Sequence, residues 1–147
     1  NGINGTIQYL EQIGAQYGEG EFPEYTGRRQ LLKRAMAATK LYEADLAAYL
    51  IEGLQSIPGV QIYGITDLNR MMDRVPTVSF TVEGHLPEHV GKHLADRDIY
   101  LWTGDYYAIE IMKRLDHSAH GMVRVGLAHY NTRNEVDRLL EAIKELA

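Results

Sequence analysis

Apolar residues recur at helical spacing in two segments of the N-terminal third. The stripe within Ile3–Ile13 predicts an amphipathic helix that ends at Gly14. A loop rich in glycine follows over residues 15–27, because closely spaced glycines and a proline interrupt the pattern. The same helical spacing then returns over Arg28–Leu54 and predicts a long helix.

Alternation of apolar and polar residues takes over in the middle of the chain. After a Pro58-Gly59 turn, residues 60–63 form one predicted strand, and Thr77–Val82 alternates strictly enough to predict a half-buried one. Two further short strands are expected over Ile99–Trp102 and Met122–Ala128. Together they predict a small sheet.

Helices are expected between and after these strands. Pro87 suits a first helical turn, and the helix that it opens should close near Asp98. Thr103-Gly104-Asp105 can cap another helix, and Thr132–Glu135 has the form of a capping box ahead of a final helix. The element order predicts an α+β fold in which helices pack on one face of the sheet.

Length and composition narrow the class of protein. The 147 residues suit a single domain over 1–147, and 45% hydrophobic with 24% charged residues is typical of a folded protein. Fifteen basic and twenty acidic residues give a net charge of -5, which argues against a nucleic-acid partner. The chain has no cysteine, and neither a membrane span nor a signal peptide is visible. We therefore expect a cytoplasmic protein without a membrane partner.

Three histidines have a spacing that can hold a metal ion. His85, His89 and His93 are four residues apart, so the last two would lie one turn apart on a helix. The pattern supplies no further ligand, and an amphipathic helix commonly exposes such histidines. We predict solvated surface residues and no metal site.

An arginine lies in the middle of the last predicted strand. The apolar neighbours of Arg124 would point to the opposite face from its own side chain. A guanidinium at such a place needs an anion, and its planar fork fits a carboxylate at two points. The partner could be a ligand or an internal acid such as Asp105. Tyr106 and Tyr107 could frame that ligand or fill the core.

Several segments resemble one family in the same order along the chain. Val123–Leu139, with its Tyr-Asn-Thr and Glu-Val-Asp-Arg-Leu runs, resembles the C-terminal signature of the class V aminotransferase and cysteine desulfurase-like family. Trp102–Ala108 resembles the family's Arg-Thr-Gly-His-His-Cys-Ala stretch, and Arg74–Phe80 resembles the strand before it. The opening residues 2–10 are similar to the helix that leaves the family's large domain.

This resemblance implies the C-terminal small domain of a homodimeric fold type I enzyme that uses pyridoxal 5'-phosphate on an amino-acid substrate. Residues 1–14 would be the helix that leaves a large domain upstream of Asn1, and residues 28–147 the small domain with a mostly antiparallel sheet. The chain begins at Asn1 inside a predicted helix, so we expect preceding sequence to carry the Schiff-base lysine and most phosphate contacts. This chain alone would then bind no cofactor and be inactive. A free-standing α+β binding or oligomerisation module is the alternative.

The resemblance also assigns roles to individual residues. Arg124 falls on the arginine that binds the substrate carboxylate. Tyr107 stands where desulfurases carry their persulfide-forming cysteine, which puts sulfur transfer in doubt because a phenol cannot replace a thiolate. Transamination, racemisation and β-elimination remain open. The possible active-site loop comprises Trp102 in place of a second arginine, Thr103, Asp105 and Tyr106 in place of two histidines, and Tyr107.

Overall fold

The computed structural model describes residues 2–147. The chain forms two compact units, one up to Glu43 and one over Ala44–Ala147, and each is described by itself. The elements in chain order are α1 (Gly2–Gln16), α2 (Gly27–Gln55), β1 (Val60–Tyr63), a 3₁₀ helix (Leu68–Asp73), β2 (Thr77–Val82), α3 (Pro87–Ala95), β3 (Trp102–Gly104), α4 (Ile109–Arg114), β4 (Met122–Gly126) and α5 (Arg133–Lys144).

The first unit contains α1 and the first part of α2. In this unit Gly14 has a different role from the one predicted. Gly14 does not end α1, which continues to Gln16. The glycine instead lies against α2, where a Cβ would collide with the backbone carbonyl of Leu31. Its lack of a side chain lets the two helices approach closely, so the residue marks a helix contact rather than a helix end.

The second unit is built on a four-stranded antiparallel sheet. The strands lie in the order β1-β2-β4-β3, and every neighbouring pair is antiparallel. β2 and β4 form the centre, with Val78 opposite Val125 and Phe80 opposite Val123. This arrangement confirms the predicted α+β fold.

One face of this sheet carries the hydrophobic core. Along β2 the buried residues alternate with half-buried ones, as the sequence pattern predicts. The second part of α2, together with α3 and α5, supplies the helical side of the same apolar cluster. The core residues of the strands and of α3 are Ile62, Val78, Phe80, Val82, Val90, Leu94, Val123 and Val125.

The segment between α3 and β4 differs from the prediction. The third strand covers Trp102–Gly104 rather than Ile99–Trp102, because Thr103 and its neighbours pair with β4. Thr103-Gly104-Asp105 therefore caps no helix. α4 begins only at Ile109, after Ala108, which provides no side-chain cap. α3 also ends at Ala95, earlier than predicted.

The final helix begins as predicted. Thr132 Oγ1 accepts a hydrogen bond from the backbone N–H of Glu135, and Glu135 Oε2 accepts one from the backbone N–H of Thr132 at 2.6 Å. The hydroxyl of Thr132 also donates to Glu135 Oε2 at 2.9 Å, and this bond, together with the one from the Thr132 backbone N–H, lowers the pKa of the Glu135 carboxyl. Because these bonds satisfy amides in the first turn of α5, they fix the residue at which the helix begins.

No helix in residues 2–147 combines the length and the apolar character that crossing a bilayer requires.

Candidate functional site

The face of the sheet opposite the core carries a row of polar and aromatic side chains. Tyr63 is paired with Ser79, Ser79 with Arg124, and Arg124 with Trp102. Residues paired directly across antiparallel strands project from the same face. The four side chains therefore form one row across the sheet, which we call the polar row.

Arg124 contacts two aromatic rings. Its guanidinium carbon is 6.0 Å from the centroid of the Trp102 ring and 4.9 Å from that of the Tyr106 ring. Both distances fall within the range of cation–π attraction. The side chain is half-buried, so the two rings limit the directions from which a ligand can approach the guanidinium.

The charge of Arg124 has no anionic partner within the described chain. No carboxylate among residues 2–147 forms an ion pair with it. Asp105, the internal acid considered from the sequence, instead accepts a hydrogen bond from the backbone N–H of Tyr107 at 3.0 Å. The internal salt bridge between Arg124 and Asp105 is therefore not formed.

A second arginine, Arg133, offers a comparison because a carboxylate neutralises its guanidinium. Arg133 lies 4.8 Å from the centroid of the Tyr49 ring, much as Arg124 lies over Tyr106. It also bonds the Asp45 carboxylate at 2.9 Å, which raises the pKa of Arg133. The distances to Tyr106 and Tyr49 are similar, but Arg133 is exposed and carries a carboxylate, whereas Arg124 is half-buried and has none within residues 2–147.

The loop after β3 holds Tyr106 against Arg124 by an uncommon backbone path. Tyr106 and Tyr107 have φ of 39° and 63°, in the left-handed region that side chains disfavour. The carboxylate of Asp105 stabilises the turn through the amide of Tyr107. As a result Tyr106 is half-buried, whereas the side chain of Tyr107 is 91% exposed. Backbone strain of this kind is common at functional sites.

The hydroxyl of Tyr106 is buried beneath the site. Among residues 2–147 it has no hydrogen-bond partner of ordinary geometry. Burial raises the pKa of Tyr106, and the nearby Ser79 hydroxyl and Arg124 guanidinium partly offset that rise. The phenol therefore stays neutral beside Arg124 and does not supply the missing anion.

Of the loop residues singled out from the sequence, Thr103 lies apart from the others. It pairs with Val123, whose side chain belongs to the core face, and its methyl group is in contact distance of α3 at Gly91. Thr103 thus points away from Arg124. The residues that the structure does bring together are Trp102, Tyr106 and Arg124.

Sequence reasoning missed the other end of the polar row. His117 Nε2 is 2.6 Å from the hydroxyl of Tyr63, and the two rings meet edge to face with centroids 4.9 Å apart. The Tyr63 hydroxyl also lies 3.4 Å from Thr81 Oγ1. The contact joins residues far apart in the chain, so no local pattern could have indicated it.

The spaced histidines do not converge on a common point. His93 Nε2 is 2.9 Å from the carbonyl oxygen of Ala142 on α5, while His89 lies 3.8 Å from the carboxylate of Glu88. Within residues 2–147 no group of three metal-ligating side chains comes together. The part of the chain that the structure describes therefore contains no metal centre of three such ligands.

Comparison with known proteins identifies the family. A family model described as aminotransferase class-V matches residues 28–139. The chain belongs to the class-V aminotransferase family. The match includes the polar row, the strained loop and the start of α5, so the candidate site lies within the shared region of the family.

Individual members of the class-V family support this placement. An aminotransferase-like protein of Gibberella zeae is 37% identical over 114 residues, covering 76% of this chain and 28% of that protein. A cysteine desulfurase of Cronobacter sakazakii is 34% identical over 102 residues, covering 69% and 23%. The chain thus spans about a quarter of the length of these relatives.

A solved class-V structure shows the same fold. The apo cysteine desulfurase from Thermococcus onnurineus NA1 matches with a TM-score of 0.66 and 28% identity, over 82% of this chain and 30% of that one. A cysteine desulfurase from Escherichia coli, at 20% identity and a TM-score of 0.63, agrees in fold.

Enzymes of this family use pyridoxal 5'-phosphate in general, and the cofactor is bound through a lysine. An aldimine-forming lysine is activated in a desolvated pocket. All five lysines are exposed, and two of them are ion-paired: Lys92 to Asp96 at 2.7 Å and Lys113 to Glu110 at 2.8 Å. The residues of this chain do not fit the cofactor's lysine site. The remaining exposed lysines are Lys33, Lys40 and Lys144.

Proposed function

We propose that this chain is the C-terminal part of a pyridoxal 5'-phosphate-dependent enzyme, and that Arg124 binds the carboxylate of its amino-acid substrate. The proposal includes a homodimeric parent enzyme, as the family resemblance implies, and a cytoplasmic location. The greater length of the matched relatives favours a part of a larger enzyme over a free-standing module.

One observation supports the assignment of Arg124 above all others. Arg124 is half-buried, its guanidinium contacts two rings, and no carboxylate within residues 2–147 pairs with it. Partly desolvated charges in proteins are normally paired, because removing them from water costs free energy. A substrate carboxylate would supply that pair and use the planar fork of the guanidinium at two points.

The cofactor lysine would then come from sequence beyond this chain. The cofactor supplies the electron sink that makes amino-acid chemistry possible, and the protein supplies binding and orientation. Since none of the five lysines lies in a desolvated pocket, we expect the isolated chain to be inactive. The contribution of the chain is to hold one end of the substrate.

The loop beside Arg124 favours chemistry other than sulfur transfer. Tyr107 occupies the position where the resemblance expects the persulfide-forming cysteine, and the chain contains no cysteine. A phenol does not accept sulfur as a thiolate does. Transamination, racemisation or elimination on an amino acid is therefore the reaction class that we propose.

The proposal is tested by kinetics on the enzyme that contains this chain. We expect Arg124→Ala to lower kcat/KM for the amino-acid substrate by about 30-fold or more, because a charge-assisted pair of about 2 to 3 kcal/mol is lost. Arg124→Lys should recover only part of the loss, since an ammonium keeps the charge without the fork. Cofactor absorbance should stay unchanged in both variants.

Arg133→Ala is the matched control for this experiment. Arg133 has a similar ring contact but is already paired with Asp45, so its loss should leave kcat/KM within about twofold. If Arg124→Ala leaves kcat/KM unchanged, Arg124 does not bind the substrate. If it lowers cofactor content and thermal stability together, its role is structural.

A further inference from the structure

Trp102 gives the carboxylate site an exposed aromatic wall. It is the single tryptophan of the sequence, and 55% of its side chain remains exposed although it is paired across the sheet with Arg124. Tyr106 has a different place, because it is half-buried with its hydroxyl enclosed. One ring thus supports the guanidinium from within the protein, and the other is open to a ligand.

An open indole beside an unpaired cation suits a ligand with two parts. A carboxylate would bind Arg124, and a flat apolar group attached to it would cover the exposed surface of Trp102. Aromatic pairs stabilise a contact beyond the area that they bury. Burial of the indole would also lower the effective dielectric around the ion pair and strengthen it.

A nearby aromatic side chain shows that exposure alone does not make such a site. Tyr100 is 80% exposed, but its hydroxyl bonds the carboxylate of Asp98 at 3.3 Å. That acid would repel a carboxylate ligand. Unlike Tyr100, Trp102 combines exposed aromatic surface with a neighbouring arginine that no carboxylate of residues 2–147 pairs with.

We propose that this site selects carboxylates that carry an aromatic group, with Trp102 as the specificity-determining residue. The inference rests on the proposed function, since it requires that Arg124 bind a carboxylate. It goes further in naming the class of substrate: an amino acid with an aromatic side chain rather than a small aliphatic or acidic one.

The single tryptophan provides a selective signal for the test. An NMR spectrum of the 147-residue chain should contain one indole N–H signal, which belongs to Trp102. We would titrate the chain with acetate and with phenylacetate at constant ionic strength. Both should shift this signal saturably, phenylacetate with about fivefold to tenfold higher affinity because of the ring contact. Arg124→Ala should abolish both responses, and Arg133→Ala should leave both unchanged.

Two substitutions of Trp102 complete the experiment, followed through the backbone amides of Thr103 and Val123. Trp102→Leu keeps apolar surface without a ring and should bring the two affinities within about twofold of each other. Trp102→Phe should retain most of the preference. Dispersed amide spectra would show that both variants are folded.

The outcomes separate this inference from the proposed function. If acetate and phenylacetate bind equally well and Arg124→Ala abolishes both, Arg124 binds carboxylates but the aromatic preference is wrong. If the preference survives in Trp102→Leu, Trp102 is not its source. If neither ligand binds the unmodified chain, both the inference and the carboxylate role of Arg124 are overturned.

Discussion

The two faces of the same sheet differ in the contacts that their side chains make. On the core face Val78, Phe80 and Val123 are fully buried among apolar neighbours. On the opposite face Ser79 and Arg124, which alternate with them, are half-buried, and the charge of Arg124 lacks an anion within residues 2–147. One strand can therefore stabilise the fold through one face and bind ligands through the other.

Two arginines next to β2 show the same contrast within one residue type. Arg74 is half-buried, and its guanidinium donates to the backbone carbonyls of Ile65, Val75 and Thr77, the last at 2.6 Å. Burial lowers the pKa of Arg74. Arg124 is also half-buried, but no carbonyl or carboxylate of residues 2–147 accepts a hydrogen bond from its guanidinium. Arg74 therefore joins loops, whereas Arg124 is free to bind.

The largest difference in the free energy of unfolding is expected between variants of two adjacent residues of β2. Phe80→Ala should lower the free energy of unfolding by about 3 to 5 kcal/mol, because it leaves a cavity in the core. Ser79→Ala should change it by about 0.5 kcal/mol or less, since the side chain lies on the polar row. Urea denaturation of both variants of the chain measures this. Equal losses would show that the second face is also part of the core.

A smaller difference in the free energy of unfolding is expected between alanine variants of Arg74 and Arg124. Arg74→Ala should lower the free energy of unfolding by about 2 to 4 kcal/mol, because three backbone carbonyls lose a charged donor. Arg124→Ala should lower it by only about 1 kcal/mol, since ring contacts but no hydrogen bond within residues 2–147 are lost. Thermal unfolding compares the pair directly. A stability loss at Arg124 as large as that at Arg74 would contradict a binding role.

Much of this architecture could be predicted because its causes are local. Alternation along Thr77–Val82 and the capping box at Thr132 each leave a signal within a few residues. The loop at Tyr106 and Tyr107 could not be predicted, because its left-handed backbone follows from the Asp105 turn and no glycine marks it. The helix contact at Gly14 also depends on a residue distant in sequence.

The candidate site also combines features that could be predicted from the sequence with features that could not. The strand pattern places Arg124 on the face opposite its apolar neighbours, and this part could be predicted. Its contact with the Trp102 ring depends on the register of β3 against β4, which the sequence did not reveal. The pairing of Tyr63 with His117 depends on the three-dimensional fold in the same way.

The most direct test of carboxylate binding observes the Arg124 guanidinium itself. The side-chain Nε–H signal of Arg124 would be followed by NMR in the 147-residue chain during titration with acetate at constant ionic strength. We expect a saturable downfield shift and slower exchange with water, because a carboxylate then accepts from this donor. The signal of Arg133, already paired with Asp45, should stay unchanged. An Arg124 signal that acetate leaves unaffected, or that moves only as much as that of Arg133, would contradict the account.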